Sequence, residues 1–144
     1  MSPLATLSPD TLREHVPLPD GVHAPAAARR AAESCLGRLS LRPERRDEAL
    51  LIVSELVTNA VRHTSGPRAL VLTAWDSLLD IAVSDRSKVL PVPCAADRAG
   101  ENGGFGLALV RSLGATLIAV PEPGGKTVHA VLSLTRPDAR GPNQ

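Results

Sequence analysis

Apolar positions in the stretch 43–63 recur at three- and four-residue intervals. Ala49, Leu50, Ile52, Val53, Leu56, Val57, Ala60 and Val61 therefore predict an amphipathic helix. Pro43 suits its first turn, Glu44, Asp47 and Glu48 lie near its positive end, and Gly66 and Pro67 follow its stop. A narrower stripe of Ala28, Ala31, Cys35 and Leu39, with Arg29, Arg30, Glu33 and Arg38 elsewhere, predicts an earlier helix over 26–39. Beyond Pro67 the period changes to two. RALVLTAW and LLDIAVS, joined through Asp76 and Ser77, read as adjacent antiparallel strands. GFGLALVRSL reads as a short helix that opens on glycines, and ATLIAV, the turn EPGG and KTVHAVLSL read as a closing hairpin.

Between these elements the pattern lapses. Pro3, Pro9, Pro17, Pro19 and Pro25 argue against a helix over residues 1–25 and allow at most one short edge strand around Leu12 to Leu18, so 1–21 read as an N-terminal arm. Residues 86–103 show no sustained period and form a long loop of the kind that is usually functional, and 136–144 form a polar tail. The element order places the 144-residue chain in the α+β class: one domain over 22–135, a two-layer sandwich with helices on one face of a mixed, mainly antiparallel sheet.

Composition narrows the function. With 43% hydrophobic residues but one Phe, one Trp and no Tyr, the core must be aliphatic, and base-stacking recognition of single-stranded nucleic acid loses its support. Sixteen basic residues against 15 acidic ones leave a charge of +1, without the basic footprint of a DNA-binding domain. No apolar run approaches the ~18 residues of a membrane span, and the first residues lack the signature of a signal peptide, so a cytoplasmic protein is expected. Cys35 and Cys94 are far apart, with no CxxC, and read as small apolar residues.

Three groups of residues could carry chemistry. Glu55, Asn59 and His63 follow one another at four-residue steps and project from one side of the second helix, where a carboxylate can act as a base and an amide oxygen can ligate Mg²⁺. A polar helix face is more often simply solvated. Asp85 closes an apolar strand, where it could accept hydrogen bonds from a ligand or merely start a turn. Gly103, Gly104 and Gly106 precede LALV, so bare amides at a helix start could receive phosphate, or form a plain turn. Two familiar phosphate motifs fail here. A dinucleotide fingerprint from Gly104 meets Leu109 where glycine is needed, and a P-loop ending at Gly125, Lys126 and Thr127 meets Val120. Lys126 could contact phosphate, but on a strand after a turn a lysine is more often solvated, and it stays unassigned.

Order and spacing join these fragments. SELVTNAVRH, then VSD after a strand, GGFGLALV after a long loop and GGKTVHAVL in the last hairpin resemble the GHKL (Bergerat-fold) ATP-binding family. The likeness is greatest to its small anti-sigma factor serine/threonine kinases and their actinobacterial relatives. The resemblance implies ATP and Mg²⁺ as cofactors, with Asn59 as the Mg²⁺ ligand and Glu55 as the catalytic base. It implies that Asp85 accepts from the adenine amino group with Thr127 beside it, that Gly104 and Gly106 open the phosphate-binding helix, and that 86–103 form a lid. One departure stands out: Ser87 occupies the place of the glycine in the family's usual D-x-G-x-G. The implied function is to sequester a sigma factor and phosphorylate its antagonist, without direct nucleic-acid or membrane binding. Relatives of this kind often form homodimers. The alternative is a catalytically silent, nucleotide-gated binding module.

Overall fold

The computed structural model describes residues 12–64, 66–87 and 104–134, with 104–106 represented by their backbone. The tail and most of the 86–103 loop, including Cys94 and Gly103, lie outside the described residues. The elements are β1 (Leu12–Pro17), α1 (Ala24–Leu36), α2 (Pro43–His63), β2 (Pro67–Trp75), β3 (Leu78–Asp85), α3 (Gly104–Ser112), β4 (Thr116–Glu122) and β5 (Gly125–Ser133). Among the described residues they form a five-stranded sheet of order β1-β2-β3-β5-β4; the mainly antiparallel sheet expected from the sequence is antiparallel at every neighbouring pair. The α+β class and the helices on one face stand as predicted.

α1 begins two residues earlier than its stripe suggests, because Pro25 fits the first turn, where no intrahelical N–H is needed. Its buried Ala24, Ala28, Ala32 and Cys35 form a small-residue ridge that lets it pack closely on α2. α2 buries Ala49, Leu50, Ile52, Val53, Leu56, Val57 and Ala60. The opposing sheet face supplies Leu70, Leu72, Ala74, Leu79, Ile81, Val83, Ala130 and Leu132, so the core is aliphatic as the composition requires.

The arm is more than a leader. β1 pairs with β2 along its whole length, and Leu18 joins the core. β2 and β3 are closed by Asp76 and Ser77 at φ 48° and 67°, the two left-handed positions of a type I′ turn. β4 and β5 are closed by Pro123 and Gly124, with Gly124 at φ 81°. Among the described residues the other sheet face has no helix on it, and Trp75, Ile118 and Val120 are exposed.

Candidate functional site

The chemistry-bearing residues meet at one end of the seam between α2 and the two central strands. Asp85 is the last residue of β3 and stands directly across from Lys126 on β5. Directly opposed residues share a face, and Val83 and Val128, one step further along, are buried under the helices. Asp85 and Lys126 therefore point toward α2. Together with Leu56, Asn59, Ala60, Val83 and Val128 they line a pocket between that helix and the sheet.

Within it the polar groups are close. The Lys126 ammonium lies 3.1 Å from Asp85 Oδ1 and 3.0 Å from Oδ2, with the two side chains 5% and 2% exposed. The Ser87 backbone N–H donates to Asp85 Oδ1 at 2.8 Å, so the residue that replaces the family glycine turns the chain back onto the aspartate. Asn59 enters from α2, half-buried, and Glu55 sits one turn earlier on the same helix side, also half-buried. His63, one turn beyond, is exposed and does not line the pocket.

Two residues the sequence reading passed over prove central. Lys126, left unassigned between phosphate and solvent, is buried against Asp85. Gly125 is required by its neighbour: a Cβ there would collide with the Asp85 carbonyl oxygen, so only glycine lets β5 start this close to the end of β3. Thr127, by contrast, is not beside Asp85. It pairs across from Ser84, on the helix-free face, and its hydroxyl donates to Glu122 Oε2 at 2.7 Å. The reason is the alternation of the strand: moving one residue along β5 exchanges one face for the other. Gly104 and Gly106 fall in the first turn of α3, the predicted helix start, and α3 packs against α2.

A profile of the histidine kinase-like ATPase domain matches residues 19–132, nearly the whole described region. The chain belongs to the histidine kinase-like ATPase family. Solved structures agree on the fold of this ATPase domain. The structure of the RsbU and RsbW domains of a Mycobacterium tuberculosis protein superposes with a TM-score of 0.61 at 23% identity, over 88% of this chain and 34% of that one. The blue-light activated histidine kinase of Erythrobacter litoralis gives 0.57 at 22% identity, over 85% and 43%. The SiaB-SiaC complex of Pseudomonas aeruginosa gives 0.56 at 11% identity, over 86% and 90%. This ATPase domain thus spans under half of the Mycobacterium and Erythrobacter chains. No curated protein matches it significantly. Among the described residues, no helix is long and apolar enough to cross a membrane.

Proposed function

We propose that this ATPase-family domain binds Mg-ATP at the α2–β3–β5 pocket and acts as an anti-sigma serine/threonine kinase. It would hold a sigma factor inactive and phosphorylate the antagonist that releases it. The observation that carries this reading is the meeting of Asn59 and Asp85 in one pocket, although they come from different elements 26 positions apart. The donor set suits the ligand. Asn59 offers a hard amide oxygen to Mg²⁺, and Asp85 offers a carboxylate to an amino group. The first turn of α3 offers Gly104 and Gly106 amides to phosphate. The bound nucleotide supplies the phosphoryl group; Glu55, one turn from Asn59, accepts the proton of the attacking serine or threonine hydroxyl.

The neighbours that include an RsbW domain and a SiaB-SiaC complex support partner binding of this kind. The test is purified protein with labelled ATP and a candidate antagonist, alongside calorimetry of Mg-ATP binding. Glu55→Gln should keep ATP binding and lose phosphate transfer, and Asn59→Ala should lose the Mg²⁺-dependent part of the affinity. Wild-type protein that binds ATP yet leaves every antagonist unlabelled points to the silent, nucleotide-gated module.

A further inference from the structure

We propose that Lys126 reads the nucleotide base together with Asp85: its ammonium donates to a ring nitrogen of adenine that flanks the 6-amino group held by Asp85. This rests on the nucleotide reading above. The argument is a count of lone pairs. A carboxylate offers about four acceptor positions. The Ser87 N–H and the Lys126 ammonium occupy Oδ1, and Lys126 takes one position on Oδ2, which leaves one position open there. Asp85 can thus accept one more hydrogen bond without losing its lysine. The ammonium has three protons, and Asp85 is its one partner among the described contacts, so it retains donor capacity within the same pocket.

The pair therefore presents an acceptor and a donor side by side, anchored to one carboxylate. The complementary ligand edge places a donor next to an acceptor, and adenine does so twice, with its amino group flanked by N1 on one side and N7 on the other. A lone aspartate would read the amino group only. Burial sharpens the reading, because neither group has water with which to replace a missing partner. The rest of the lining, Leu56, Ala60, Val83 and Val128, is apolar.

The experiment compares ATP, 1-deaza-ATP and 7-deaza-ATP by calorimetry on the full chain, wild type and Lys126→Met. Each deaza analogue lacks one flanking nitrogen and keeps the amino group. The wild type should lose roughly tenfold or more in affinity for one of the two analogues, the identity of which names the nitrogen read. Lys126→Met should weaken ATP binding and bind that analogue and ATP equally. If the methionine variant does not fold, the analogue series on wild type carries the test, since it needs no variant. Equal affinity of the wild type for all three nucleotides overturns the proposal. So does tighter ATP binding by Lys126→Met, which would make the lysine a competitor for Asp85. A wild type that binds none of the three removes the nucleotide reading itself, an outcome distinct from both.

Discussion

Strands β3 and β5 carry two acid–base pairs, one at each face of the sheet they share. Asp85 and Lys126 are directly opposed, point under the helices and are 2% and 5% exposed. Asp80 and His129 are diagonal neighbours on the helix-free face, 19% and 28% exposed, with His129 Nδ1 3.0 Å from Asp80 Oδ2. The distances are alike, but the settings are not. On the open face water can replace either partner, so the pair contributes little. Under the helices each charge was stripped of water to be there, and each depends on the other. Distance alone says nothing about what an ion pair contributes; the medium around it decides.

The largest expected effect tests that contrast directly. Lys126→Met alone leaves Asp85 buried without a counter-charge and should cost about 3–5 kcal/mol, whereas Asp85→Leu combined with Lys126→Met should recover most of the loss in denaturant titrations. If the single and double variants are equally destabilised, the buried charges are not coupled. Gly125→Ala comes next. Its methyl must push away the Asp85 carbonyl, so about 1–3 kcal/mol should be lost, along with affinity for any ligand of the pocket. Asp80→Ala should cost under about 1 kcal/mol, a difference that shrinks as salt is added. A loss as large as that of Lys126→Met would erase the distinction between the faces.

The smallest effect concerns a neutral group in the covered layer. Burial pushes the Cys35 thiol above its ordinary value of 9.0, a rise that Arg38 beside it opposes. A raised acid stays protonated in the folded state, so its contribution to stability is complete below the unfolded value and is lost as pH rises through the folded one. In a Cys94→Ser background, the native protein should react slowly with thiol reagents at neutral pH and quickly once denatured. Rapid native labelling would place Cys35 outside the core.

The helices were legible because their apolar residues recur every three to four positions, and the hairpins because Asp76–Ser77 and EPGG interrupt runs of period two. Asn59 and Asp85 could be singled out by residue type and spacing. Lys126 could not be found that way, since no single residue in the chain announces a buried lysine. The clue lay in parity. Val128, Ala130 and Leu132 mark the covered face of β5, and Lys126 shares their parity while Thr127 shares that of His129. Which of the two meets Asp85 also depends on the pairing of β3 with β5, and register across a 41-residue separation has no local signature. Gly125 was read as part of a turn; the close approach that requires it exists only once the strands have met.

That same seam has a kinetic consequence. β2–β3 and β4–β5 are closed by two-residue turns and can each form quickly from contacts local in sequence, whereas β3 and β5 meet only after the chain closes a loop of at least 41 positions, the separation of Asp85 and Lys126. The pocket is built on this late-joining boundary. A chain in which either hairpin has formed but not docked holds one charge of the pair without the other. Ligand affinity then becomes a report on completed assembly, and a ligand that spans the seam will slow unfolding by holding together the last contact to form.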